Sequence, residues 1–387
     1  MTPLAYVDGD SLWLPGLVTA HSHAFQVGLR GHTQRAPAET GTFWSWRDAM
    51  YRLADSLTPD SIEALSRRAF RLLRRSGVTA VGEFHYVHHQ PGGAPYAQRT
   101  ELADRVITAA LDEGLSITLL RVAYARAGAE KSPEGAQRRF SDPDVDDVLR
   151  DVDALTKRWA GDARVKVGVA PHSVRAVPAE WLRVLREYAR GARMPFHMHV
   201  AEVQGEVNEC LAEHGKRPVE FLSELGLLDE GFTAVHATVL EAHEARLLGE
   251  ARAFACVCPT TERDLGDGLA NLSDLRAAGV RLCVGVDSHV VSDPLEEMRA
   301  LETHERLRLR QRVTFTPPEG RTPAEQLLVE GSLHGALSLG HAVTVSGRAY
   351  DGWSERTVVD LTQPALEGVD RDRALDAWIF SGESLRG

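Results

Sequence analysis

His21 and His23 follow the first apolar run of the chain, separated by one serine. In an extended segment residues two apart project to the same side, so both imidazoles can reach one metal ion. Alone the pair is weak evidence, because a chain with 16 histidines holds about one such pair by accident. It gains weight from three later segments. His197-Met198-His199-Val200-Ala201-Glu202 closes a short apolar run, His236 closes the next but one after it in the chain's alternation of runs and helices, and Asp287 ends Val284-Gly285-Val286-Asp287. An aspartate at the end of an apolar strand needs a cation or a metal, because a buried unpaired charge is costly.

Three histidines and one aspartate (His21, His23, His199 and Asp287) suit a single divalent ion, Zn2+ in the first instance, with Fe2+ or Mn2+ also able to fit. Such an ion brings a coordinated water near neutral ionisation and makes hydrolysis practicable. Asp287 is then placed to accept the water proton as well, Glu202 to carry a proton to a leaving amine, and His236 to polarise or orient the nucleophile. Lys166 lies too deep in its run to bridge a second ion, so one metal is expected.

These groups must be brought together by the elements that carry them. Apolar runs near 16–20 and at about 78–86, 116–124, 164–171, 194–200, 232–237, 252–258 and 280–287 read as buried parallel strands. Amphipathic stretches at 59–75, 97–113, 145–159, 178–190 and 241–250 separate them. The first starts with Thr58 as N-cap and Pro59 in the first turn. Eight such units predict an α/β fold, a (β/α)8 barrel, with an open doubly wound sheet as the alternative. Every candidate group falls at the C-terminal end of a strand, the face on which barrel active sites are built. The barrel is expected over 15–340. Residues 1–14 and 341–387 are expected to form a small β-sandwich-like appendage, with Thr357-Val358-Val359 and Ala377-Trp378-Ile379-Phe380 as strand-like pieces. The polar stretch 126–143 reads as a long loop over the barrel mouth.

The composition sets limits. With 387 residues and 43% hydrophobic content, a large core is available. A net charge of -11 argues against nucleic-acid or membrane-surface binding, both of which need a basic face. No apolar run is long enough to span a bilayer, and no signal peptide is evident, so a cytoplasmic protein is expected. Cys210, Cys256, Cys258 and Cys283 lack a disulfide framework's spacing and read as reduced thiols, Cys256 as a small buried hydrophobe and Cys258 in a loop role. His85, His88 and His89 read as a polar loop at the barrel mouth.

The order His-x-His, His with Glu three later, His, then Asp resembles the mononuclear deaminase branch of the amidohydrolase superfamily. The neighbouring residues narrow it. His21 to Gln26, Phe43-Trp44-Ser45-Trp46-Arg47-Asp48, Glu83 to His89, Pro171-His172-Ser173-Val174-Arg175 and Cys258-Pro259-Thr260-Thr261-Glu262 resemble the formimidoylglutamate deiminases. The resemblance runs from about residue 13 to 290 and is weaker beyond. It implies hydrolysis of N-formimino-L-glutamate in histidine degradation, a homodimer, and substrate contacts from Gln26, Arg47, Tyr86, His172 and Arg175. The physics agrees, since two guanidinium groups are natural forked partners for a substrate with two carboxylates. The segment 43–48 reads as a loop whose aromatics close a lid over the site or cross to a second subunit. The chain is shorter than is usual for that family, mainly at the N-terminus, and a reduced appendage is expected. The alternatives are a deaminase of a guanine-, pterin- or adenosine-like ring and, from a different class, a catalytically inactive barrel that only binds.

Overall fold

The computed structural model describes residues 1–35 and 41–385. Leu17–Ser22 (β1), Val78–His85 (β2), Ser116–Ala123 (β3), Val165–Pro171 (β4), Phe196–Val200 (β5), Phe232–His236 (β6), Phe254–Val257 (β7) and Arg281–Val284 (β8) pair in chain order as one parallel sheet. β1, β2 and β3 are buried along their whole length, as strands covered on both faces must be. The sheet closes on itself. Ser22 bridges to Asp287, the His23 amide donates to Asp287 O at 2.9 Å, and the Asp287 amide donates to His21 O at 3.1 Å. Closure excludes the open sheet, and it is made by the backbone of three of the four candidate metal ligands. Gly285 permits the approach, because a Cβ there would stand 2.7 Å from His21 Cβ.

The helix Pro59–Arg75 shows how local sequence builds the outer layer. The Thr58 hydroxyl accepts from the Ser61 amide, Asp60 lies in the first turn and Arg74 and Arg75 in the last, complementing the helix dipole. Ile62, Ala69, Phe70 and Leu73 form the buried stripe.

The chain ends form two three-stranded antiparallel sheets. Ser11–Pro15 lies between Tyr6–Asp8 and Arg356–Asp360, and Ala349–Asp351 lies between Thr2–Pro3 and Thr344–Ser346. The stretch Ala377-Trp378-Ile379-Phe380, expected to be a strand, is instead part of a helix, Ala374–Ser381. Leu375, Trp378 and Ile379 are buried at helical spacing, and Arg299 donates to the carbonyls of Trp378, Ile379 and Gly382 at its end.

The stretch 126–143 is shaped rather than open. It holds a Gly128–Lys131 bridge and a 3-10 turn at Gly135–Arg139, and Arg139 O accepts the amides of His88 and His89. Arg121 of β3, 2% exposed, holds its end by forking to Asp142 at 2.8 and 2.9 Å and reaching Asp151 at 2.7 Å. Burial alone would raise the Asp142 carboxyl, but Arg121 holds it below its usual range. A depressed carboxyl contributes stability above the unfolded pKa of about 4 and loses it as pH falls through the folded value. Arg121→Met is therefore expected to destabilise the protein by about 3–5 kcal/mol in urea unfolding at pH 7, since the buried Asp142 loses its forked partner, while Asp151 keeps Arg99 at 2.8 Å. The gap to the parent should shrink below about pH 4 as the Asp142 carboxyl protonates; a pH-independent gap would show that its ion pair does not matter.

Candidate active site

His21 and His23 stand at the end of β1, His199 near the end of β5 and Asp287 just beyond β8. His21 Nε2 lies 3.2 Å from His23 Nε2, 3.2 Å from His199 Nε2 and 3.3 Å from Asp287 Oδ1. His23 Nε2 is also 3.3 Å from Asp287 Oδ1. One ring nitrogen carries one proton or one lone pair and cannot satisfy three such neighbours by hydrogen bonding. A central cation can. Bonds of about 2.0–2.2 Å give a tetrahedron with edges of roughly 3.3–3.6 Å. The four separations match those lengths. The donors form two triads that share His21, one with His23 and Asp287 and one with His199 and His236, each with its ligand atoms within 4.8 Å of one another. The set therefore fits a divalent ion of that kind. Two of the three ring nitrogens turned away are held by backbone, His23 Nδ1 by Phe84 O at 3.0 Å and His199 Nδ1 by His172 O at 3.1 Å, while His21 Nδ1 is buried without a hydrogen-bond partner. These bonds put the proton on Nδ1 and leave the Nε2 lone pairs facing the common point.

Several of these residues sit in the left-handed region, where side chains other than glycine are strained. They are Ala201 (φ 51°), His236 (φ 69°) and Asp287 (φ 49°). Such strain at strand ends marks positions where the chain is bent to aim a side chain.

His236 Nε2 lies 3.7 Å from Glu202 Oε1, and its Nδ1 lies 3.3 Å from Glu262 Oε1. Burial pushes the Glu202 carboxyl up. At His236 the carboxylates of Glu202, Glu262 and Asp287 outweigh burial and hold the imidazole up to about 10. Both shifts favour a proton held on this pair. Glu206 accepts the Glu202 amide at 3.1 Å, and burial and the neighbouring Glu202 push it up to about 7.

One pocket connects this centre to the surface. Its walls include Gln26, Arg47, Tyr86, His172 and Arg175, together with His23, His199, Glu202, His236 and Asp287. Arg47 belongs to a helix, Phe43–Ser56, not to a loop; Thr42 and Ser45 cap it reciprocally. That helix lines the pocket of its own chain through Phe43, Trp44, Trp46 and Arg47. Arg47 lies over the Trp44 ring at 4.4 Å, its Nε is buried without a partner, and among the described residues it makes no ion pair, with Asp48 or any other acid. Arg175 Nη1 donates to Ala127 O at 2.8 Å and to the Tyr124 hydroxyl at 3.3 Å; its one ion pair among the described residues is with Glu209, at 3.9 Å. Gln26 Nε2 donates to the Tyr86 hydroxyl at 2.9 Å, which leaves Gln26 Oε1 buried and free.

The walls contain residues to which the sequence reading assigned no role: Tyr51, Tyr124, Phe140 and Glu206. Glu262, quoted above only as part of a motif, accepts the Cys258 amide at 2.8 Å and anchors His236. A conservative Glu262→Gln change is expected to lower kcat by about 10–100-fold, as loss of an outer partner typically does. Unaltered kcat would mean His236 needs no anchor.

Two expectations gain detail. His88 and His89 lie in the loop that follows β2, and His85 ends the strand itself; all three are buried, and His88 Nε2 bonds Val122 O at 2.9 Å. Cys258 does lie in the connection between β7 and the helix Pro259–Leu265, and it is fully buried there with Cys256 and Cys283; burial pushes its thiol up, away from the reactive thiolate.

Residues 12–343 match the model of the amidohydrolase family. The chain belongs to the amidohydrolase family. A formimidoylglutamate deiminase of Pseudomonas aeruginosa is 36% identical over 376 residues, covering 95% of this chain and 81% of that protein. A 5-methylthioadenosine/S-adenosylhomocysteine deaminase of Moorella thermoacetica is 28% identical, covering 92% and 75%. Among solved structures, an amidohydrolase from Brucella melitensis superposes with a TM-score of 0.86 at 35% identity over 96% of this chain and 81% of that one. An adenosine deaminase from Xanthomonas campestris with bound zinc reaches 0.78 at 23% identity over 97% and 78%, a likeness of fold alone. As an amidohydrolase, the chain is a hydrolase. None of its described helices is long and apolar enough to cross a membrane.

Proposed function

We propose that this amidohydrolase converts N-formimino-L-glutamate and water to N-formyl-L-glutamate and ammonia, using one divalent ion, Zn2+, held by His21, His23, His199 and Asp287. One observation carries the reading. Two guanidinium groups, Arg47 and Arg175, neither engaged by a close carboxylate among the described residues, share a pocket with the four-donor set and its acids. The pocket thus offers both guanidinium groups and carboxylates, which complements a substrate with two carboxylates and a cationic amidine. The deiminase relative supports the same choice.

When bound, the ion supplies Lewis acidity and a water that ionises near neutral pH. The residues of the chain do the rest. Arg47 and Arg175 fix the two carboxylates, and Gln26, Tyr86 and His172 orient the formimino arm. Asp287 takes a proton from the attacking water. Glu202 passes a proton to the departing nitrogen, and His236 orients the nucleophile and keeps the Glu202 side supplied. The atoms balance: the amidinium cation plus water gives the formamide plus ammonium, with no net proton exchanged.

A second reading rests on the aromatic walls Phe43, Trp46, Tyr86 and Tyr124, which suit a stacked ring, and on the adenosine-type relative. Ammonia release from N-formimino-L-glutamate, guanine and adenosine in parallel separates the two. Release from the first alone is expected; release from a ring alone would overturn the assignment.

A further inference from the structure

Beyond β3 the chain runs through Tyr124, Ala125, Arg126 and Ala127, and each end of this short segment grips Arg175. The Arg175 guanidinium donates to Ala127 O and to the Tyr124 hydroxyl. The amides of Ala125 and Arg126 both donate to Ala176 O, at 2.9 and 3.1 Å. The Arg126 side chain completes the clamp. Its Nε donates to Arg175 O at 3.0 Å and its Nη2 to Val174 O at 3.2 Å. The same guanidinium forks onto Glu213, with Nη1 at 2.7 Å and Nη2 at 3.0 Å from the two carboxylate oxygens. Glu213 lies on the helix Gln204–His214, which begins two residues after Glu202.

Arg126 is not part of the pocket wall, so it does not act by touching a ligand there. It joins two backbone carbonyls beside Arg175 to the helix that follows Glu202. Only a planar fork with several fixed donors can hold two carbonyls and a carboxylate at once; a lysine ammonium cannot reproduce it.

We infer that Arg126 is a positioning residue that sets Arg175 to read one substrate carboxylate and keeps that reader in register with Glu202. This rests on the reading of Arg175 as a carboxylate partner. It makes Arg126 and Glu213 determinants of selectivity for a dicarboxylate, although neither meets the substrate.

The test compares the parent with Arg126→Met, Glu213→Gln and the double variant, all metal-replete. The substrates are N-formimino-L-glutamate, N-formiminoglycine, which keeps only the α-carboxylate, and 4-formiminobutyrate, which keeps only the distal one. Arg126→Met is expected to raise KM for the glutamate derivative by about 10–100-fold with kcat nearly unchanged, the scale of effect of misplacing a binding group by an ångström. Of the two shorter substrates only one, that whose carboxylate Arg175 reads, should share the effect. Glu213→Gln should act in the same direction more weakly, and the double variant should be no worse than Arg126→Met, since both changes open one clamp. An unchanged KM, or an equal rise for all three substrates, would overturn the inference. Glutarate binding, read as thermal protection, tests the clamp without turnover. A parent that binds glutarate but leaves N-formimino-L-glutamate intact would defeat the proposed function alone, and Arg126→Met should still weaken glutarate about 10–100-fold. Equal glutarate binding by parent and variant would defeat the clamp.

Discussion

Glu202→Gln is expected to lower kcat for N-formimino-L-glutamate by about 10²–10⁴-fold, the usual contribution of a positioned acid–base group, with metal content and KM close to those of the parent. The expectation follows from where Glu202 stands. It is largely withdrawn from solvent, its side chain 18% exposed, which favours its protonated form, and it lies 3.7 Å from His236 Nε2 on the edge of the donor set. Glutamine keeps the shape and removes only the exchangeable proton. Glu206, the next acid along the chain, accepts the Glu202 amide through Oε2, while its Oε1 is buried without a partner. Steady-state ammonia release and metal analysis on the same sample check this. A loss below tenfold with full metal would move the proton transfer to another group.

Arg175→Met should produce the second large effect, and chiefly in KM. Removing one partner of a desolvated charge pair costs about 2–5 kcal/mol, or roughly 30- to 4,000-fold in kcat/KM. Because the lost contact is made alike in the ground state and the transition state, kcat should change little. Any turnover of a neutral ring substrate should be untouched. Normal KM in this variant would show that the carboxylates are read elsewhere.

Much of the chemistry was legible because it lies at strand ends. His21 and His23 share a face by the two-residue period of a strand, and His199, His236 and Asp287 each close an apolar run. That marks the metal-capable set without any knowledge of distances. Residues that act on these groups from other elements left no such mark. Glu262 reaches His236 from the helix after β7, and Tyr51, Tyr124 and Phe140 arrive from three separate segments. Their roles depend on how β/α units pack round the barrel, which periodicity does not encode. The helix Phe43–Ser56 was hidden by its large aromatics, though Thr42 and Ser45 carried a cap signal at its start. Ala377–Phe380 reads as a strand by composition, but the wider spacing of Leu375, Trp378 and Ile379 is helical. His85, His88 and His89 read as a polar loop because histidine is polar; the fold buries all three and joins the amides of His88 and His89 to Arg139 O of the 126–143 stretch.

The central claim is that one metal centre and one arginine pair act together on an acyclic dicarboxylate. The most direct measurement is mass analysis of the product formed from N-formimino-L-glutamate, using protein stripped by a chelator and then titrated with Zn2+. The account predicts no conversion by stripped protein, and conversion to N-formyl-L-glutamate with equimolar ammonia that rises to a plateau at about one ion per chain. Conversion by fully stripped protein would contradict the metal assignment, and an unconverted substrate in the zinc-loaded protein would contradict the substrate.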